Sequence, residues 1–138
     1  LSYSRTIQIE FNHCDPAGIV FYPRYYEMVN SVVENFFAEE LGYPFSRIVI
    51  EEGCGVPTVH VASDFSAPSW LGEKVEFALR VVKVGARSVG FAIDAAKGGE
   101  SRMTTHLTLV WINAKGRAEP WPELLHARLL SHLEGQNR

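Results

Sequence analysis

Cysteine is scarce in this chain: Cys14 and Cys54 are the two present in 138 residues. Two thiols so far apart give neither a disulfide framework nor a Cys-x-x-Cys zinc site. Basic residues are in no excess, since 13 Lys and Arg face 16 Asp and Glu, and the net charge of −3 excludes a nucleic-acid coat. A local basic cluster for a phosphorylated ligand remains compatible with that figure. Long apolar runs are lacking too, with nothing near the roughly 20 residues that cross a bilayer. The opening LSYSRTIQIEF does not follow the charged, apolar, small order of a signal peptide and reads at once as a strand, so a cytoplasmic location is expected. Repeats and low-complexity segments are absent. With 46% hydrophobic and 21% charged residues, the chain has the balance of a folded globular protein rather than a disordered one. One domain over residues 1–138 is the expectation at this length.

Hydrophobic periodicity supplies the architecture. Residues 3–11 alternate, with Tyr3, Ile7, Ile9 and Phe11 on one face and polar residues on the other, interrupted by Arg5, as in a half-exposed strand. From Pro23 the apolar residues come in pairs four apart (Met28 and Val29, Val32 and Val33, Phe36 and Phe37) and then Leu41. This is a helix of about 19 residues and nearly 30 Å, capped by Gly42 and stopped by Pro44. Residues 43–57 form a connection with a short helical turn over 45–52. Period-two runs follow: Val59, Val61, Phe65, Ala67; Val75, Phe77, Leu79, Val81; Val89, Phe91, Ile93, Ala95; Met103, Leu107, Leu109, Trp111. Their links carry Pro68 and Gly72, Gly85, and Gly98 with Gly99, so the four strands are expected to form an antiparallel meander. Pro122 opens a short C-terminal helix over 123–133. Five strands and one long apolar helix pack most economically as an α+β domain, a curved antiparallel sheet wrapped around the helix. Val82, Val110 and Ile112 break the polar faces of their strands and point to cover by a second subunit or to ordinary burial at strand ends.

The chemistry concentrates at NHCDPAGIVFYPRYYEMVN, where strand gives way to loop and loop to helix. Pro23 suits a first helical turn, whose unpaired N–H groups near Tyr22 and Arg24 can receive a developing negative charge. Asp15 sets a carboxylate beside that donor, and an acid with an oxyanion site points to acyl transfer. Asp15, Pro16 and Gly18 also suit a turn for conformational reasons alone. Cys14 lies beside His13 and Asp15, but sequence neighbours diverge in an extended segment, and a buried, inert thiol is expected. His60 and His106 fall on polar strand faces with no metal-ligand spacing; no metal site is expected.

The order of elements, CDPAGIVFYPRYYEMVN, VASDFSAPSWLGEKVEF and the closing KGRAEPWPELL together resemble the hotdog-fold acyl-CoA thioesterases, most closely the 4-hydroxybenzoyl-CoA thioesterase-like branch. The resemblance implies hydrolysis of a small acyl-CoA to carboxylate and free coenzyme A, with coenzyme A belonging to the substrate and no separate cofactor. It matches Asp15 to the catalytic aspartate and the Tyr22 backbone N–H to the oxyanion donor. Asp15 then acts as nucleophile, through a mixed anhydride, or as the base that activates water. Gly18 would let backbone approach the acyl group, and Tyr22 and Tyr25 either wall the acyl pocket or serve the core with satisfied hydroxyls. Asn30 stands where the hydroxybenzoyl enzymes carry an aspartate at the phenolic end, so an aromatic hydroxyacyl group is allowed rather than required. Arg87 fits the nucleotide-contact turn, with Ala86 in place of a second basic residue and Arg117 or Arg128 as further candidates. A homodimer or homotetramer with sites shared between subunits is also implied. The alternatives are a non-catalytic acyl-CoA-binding hotdog domain, or a hotdog-fold hydratase or dehydratase, which needs a His that the long helix lacks.

Overall fold

The structure is a computed structural model describing residues 2–133. Strand β1 (Tyr3–Gln8) leads through a 3₁₀ turn (Phe11–His13) and a loop into helix α1 (Arg24–Glu39). A π-helical turn (Arg47–Glu51) precedes β2 (Thr58–Phe65), β3 (Lys74–Val84), β4 (Ser88–Lys97) and β5 (Glu100–Val110), and α2 (Glu123–Ser131) closes the order. The strands pair antiparallel in one five-stranded sheet of order β1-β3-β4-β5-β2. This is the hotdog arrangement that the resemblance implies. Among the described residues no helix is long and apolar enough to cross a membrane.

The pairs of apolar residues four apart give α1 a broad buried stripe of Met28, Val29, Val32, Val33, Phe36 and Phe37. Phe36 and Phe37 meet Phe91 of β4 with ring centroids 5.6 and 6.3 Å apart. Val75, Phe77 and Leu79 of β3, Ile93 and Ala95 of β4 and Met103 of β5 supply further fully buried core on that face. At the end of α1 the chain turns at Gly42, whose φ of +60° costs a residue without Cβ little. Arg128 of α2 donates from Nη1 to the Leu41 carbonyl at 2.6 Å, so this arginine, a candidate for the nucleotide, serves the helix end.

Two expectations are corrected. Phe11 does not share the buried face of β1: that strand ends at Gln8, and the 3₁₀ turn leaves Phe11 83% exposed. The four later strands do not form one meander. β3, β4 and β5 do, but β2 pairs with β5 and lies at the far edge. The link over residues 66–73 is therefore a crossover. It must pass three inter-strand steps of about 4.8 Å, roughly 14 Å in all, which a two-residue hairpin cannot do and this length can.

Candidate active site at the start of the long helix

Asp15 sits at the tip of a short hairpin. Phe21 N–H donates to the His13 carbonyl at 3.0 Å, Cys14 bridges Val20, and Asp15 N–H donates to the Ile19 carbonyl at 3.0 Å. Gly18 N–H closes the turn onto the Asp15 carbonyl at 2.9 Å, with Gly18 at φ +82°. That is the three-residue hairpin in which the αL position calls for glycine. The Asp15 carboxylate takes part: Oδ1 accepts the Ala17 N–H at 2.9 Å, which fixes its direction, while Oδ2 has no partner among the described residues. A methyl group at Gly18 would meet nothing within 4 Å, so its backbone angle, rather than close approach within this chain, is what requires glycine.

One residue beyond the last rung of the hairpin comes Tyr22. Arg24 N–H turns back to the Phe21 carbonyl, Tyr25 to Tyr22 and Tyr26 to Pro23, at 2.8 to 3.1 Å. Pro23 has no N–H to offer. The Tyr22 N–H is left without an acceptor among the described residues, at the positive end of α1. The hairpin whose tip carries the half-buried Asp15 carboxylate thus runs directly into the helix start that carries the free backbone donor.

The sequence candidates separate in space. Tyr22 is exposed, its ring edge-on to Phe65 of β2 at 6.0 Å. Tyr25 is buried, and its hydroxyl donates to Ser69 Oγ at 2.8 Å; burial raises the pKa of this phenol, with the Ser69 bond opposing. Asn30 lines a cavity of about 200 Å³ between α1 and the edge of the sheet, with Tyr26, Val29 and Val33 on the helix side and Thr58, Val61 and Leu107 on the strand side. Arg87 lies exposed in the β3–β4 turn, which is tied down by Trp111 N–H on the Arg87 carbonyl and Trp121 N–H on that of Ala86. This turn is at the opposite end of the sheet from Asp15, because the hairpin loop joins the chain near Lys74 while β3 runs eleven residues to Val84, about 30 Å. Cys14 is half-buried, and burial followed by the Asp15 charge raises its pKa, so the thiol stays protonated at neutral pH.

A polar network beneath the hairpin escaped the sequence reading. Arg102, 6% exposed, donates to Glu73 at 2.7 Å, to the Pro68 carbonyl at 2.9 Å and to Ser69 Oγ at 3.2 Å. The Arg102 guanidinium, with the Trp70 N–H, holds the Glu73 carboxyl down to about 2. The segment it anchors supports the candidate site directly: Val20 N–H donates to the Ser69 carbonyl and Leu71 N–H to that of Gly18, both at 2.9 Å.

The fold is that of the hotdog thioesterases. The sequence model of the Thioesterase-like superfamily matches residues 9–129, and the chain belongs to that superfamily. A 4-hydroxybenzoyl-CoA thioesterase of Pseudomonas sp. (strain CBS-3) is 37% identical over 59 residues, a stretch that spans 42% of this chain and 42% of that protein. A gentisyl-coenzyme A thioesterase of known structure superposes with a TM-score of 0.84 at 27% identity, over 92% of this chain and 99% of its own. A 1,4-dihydroxy-2-naphthoyl-CoA thioesterase from Synechocystis gives 0.84 at 18% identity, over 93% and 95%, a likeness of fold.

Proposed function

We propose that this chain hydrolyses the thioester of a small acyl-CoA, of the aromatic hydroxyacyl class, to carboxylate and free coenzyme A. The observation that carries the reading is the pairing of the Asp15 carboxylate, aimed by its own turn, with the unpaired Tyr22 N–H at the start of α1. A thioester carbonyl seated on that donor develops its negative charge where a helix terminus stabilises it. Thiolate leaves readily, so one carboxylate suffices, attacking the carbonyl itself or drawing the proton from the attacking water. The aromatic preference is supported by the named relatives and by the cavity along α1, apolar except for Tyr26, Asn30 and Thr58.

The site is completed by a second copy of the chain. β2 is an edge strand whose side chains are exposed apart from Ser63, and it carries Val59, Val61 and Phe65 where an unpaired edge is ordinarily blunted by charge or proline. Pairing β2 with its two-fold mate reverses the strand direction and brings the partner's β3–β4 turn to the Asp15 end. Arg87 then reaches the nucleotide of a coenzyme A whose thioester lies on Asp15 of the other chain. Free-thiol release from a panel of aromatic and aliphatic acyl-CoA esters tests the reading. Turnover of hydroxyaroyl esters that is lost in Asp15→Asn is expected; no release from any ester rejects it.

A further inference from the structure

Connecting segments run over the surface and leave their small polar residues in water, yet Ser69, in the crossover between β2 and β3, is fully buried. Its carbonyl and its hydroxyl are both engaged, and they face the two halves of the candidate site. The carbonyl accepts the Val20 N–H at 2.9 Å, and Val20 pairs with Cys14 on the hairpin that carries Asp15. The hydroxyl oxygen accepts the Tyr25 hydroxyl at 2.8 Å and Arg102 Nη1 at 3.2 Å. Tyr25 is buried too, its ring 5.7 Å from that of Phe65, so the phenol reaches Ser69 from the first turn of α1.

The direction of the Tyr22 N–H depends on that first turn. It shares a planar peptide unit with the Phe21 carbonyl, which accepts the Arg24 N–H at 2.8 Å, and the Tyr22 carbonyl accepts the Tyr25 N–H at 3.1 Å. Tyr25 therefore joins Tyr22 through its backbone and Ser69 through its side chain. The Asp15 hairpin and the oxyanion donor are thus tied to one residue, which the Arg102 guanidinium holds at its Oγ and at the preceding carbonyl of Pro68. Acyl transfer needs the carboxylate and the donor in register, since a misplacement of about 1 Å costs roughly a hundredfold in rate.

We infer that Ser69 is a positioning residue which, through the Tyr25 hydroxyl, holds the Tyr22 N–H in register with the Asp15 carboxylate. The inference rests on the acyl-CoA reading above, and its test measures stability, turnover and a bound carbonyl separately. Tyr25→Phe, Ser69→Ala and the double variant all remove the same hydrogen bond. Ser69→Ala leaves a buried phenol without its acceptor and should melt lowest, and adding Tyr25→Phe removes that phenol and should bring the melting temperature back to near that of Tyr25→Phe. Turnover should not follow: kcat for 4-hydroxybenzoyl-CoA should fall about tenfold in all three, the double variant no further than either single one, with KM unchanged. The remaining readout needs no hydrolysis. In benzoyl-carba(dethia)-CoA a methylene replaces the thioester sulfur, and its ketone, labelled with carbon-13, should show an infrared stretch lowered by the Tyr22 N–H on binding the unmodified protein, and lowered less on binding Tyr25→Phe or the double variant. A kcat that recovers with the melting temperature in the double variant, or a ketone stretch that is the same in all the proteins, absence of binding included, overturns the inference. A Tyr25-dependent stretch without thiol release from any acyl-CoA sinks the hydrolytic reading alone, whereas release that Tyr25→Phe leaves unchanged sinks this inference alone.

Discussion

Asp15 carries two duties that substitution can separate. Its Oδ1 holds the turn by accepting the Ala17 N–H, and its other oxygen is free for chemistry. Asn retains the accepting oxygen but can be neither nucleophile nor base, so Asp15→Asn should keep the melting temperature while lowering turnover by about two orders of magnitude or more. Thermal unfolding and thiol release measured on one preparation check both halves; turnover near the unmodified rate would remove Asp15 from the chemistry. Gly18 makes the complementary case. At φ +82°, with open space around it, Gly18→Ala meets no clash and costs only backbone strain, about 1–2 kcal/mol. A small fall in melting temperature should come with a larger fall in turnover, since the strained turn is the one that aims the carboxylate.

At the scale of elements, the Asp15 hairpin rests on the segment that Arg102 fastens. Replacing Arg102 by Met leaves Glu73 without its cation and should cost about 3–5 kcal/mol, lowering the melting temperature by roughly 10 °C. Adding Glu73→Gln to that variant should restore part of the loss, because the uncompensated charge goes with it. The same pair predicts acid sensitivity. The folded Glu73 carboxyl titrates at about 2 against an ordinary 4.5, so its stabilisation is complete above the ordinary value and is lost as pH falls from there toward 2. Melting curves across that window should flatten in Glu73→Gln, and an unaltered acid limb would assign acid unfolding to other groups. The helix stripe, the glycine turn before the helix and the inward faces of β3, β4 and β5 were legible because each is a local pattern. The neighbour of β2 was not: Pro68 and Gly72 read as turn residues, and only the length of residues 66–73 betrays a crossover. Polar partnerships were hidden for the same reason, since Arg102 and Ser69 meet only once the strands are paired. One trace did exist. The alternation of β2 and that of β5 each skip one inward position, at Ser63 and Thr105, and the register places those two residues opposite each other.

On the scale of the whole molecule, a chain that keeps Asp15 and Arg87 at opposite ends of its sheet can use both on one substrate only by lending one of them to a partner. Arg87→Ala should therefore raise KM for acyl-CoA at low salt, with the difference shrinking as ionic strength rises, while kcat changes little. An unchanged KM would remove Arg87 from the nucleotide. The stronger test mixes two inactive parents. Asp15→Asn and Arg87→Ala chains, combined under conditions that permit subunit exchange and assayed at acyl-CoA concentrations too low for Arg87→Ala to work, should regain activity. In a hybrid dimer one site inherits both defects, while the other combines Asp15 of the Arg87→Ala chain with Arg87 of the Asp15→Asn chain. Exchange is verified independently with differently tagged chains, and sedimentation reports the assembly state. If hybrids form and thiol release stays at the parental level, or if a monomer proves fully active, each chain carries its own complete site and the exposed β2 edge needs another explanation.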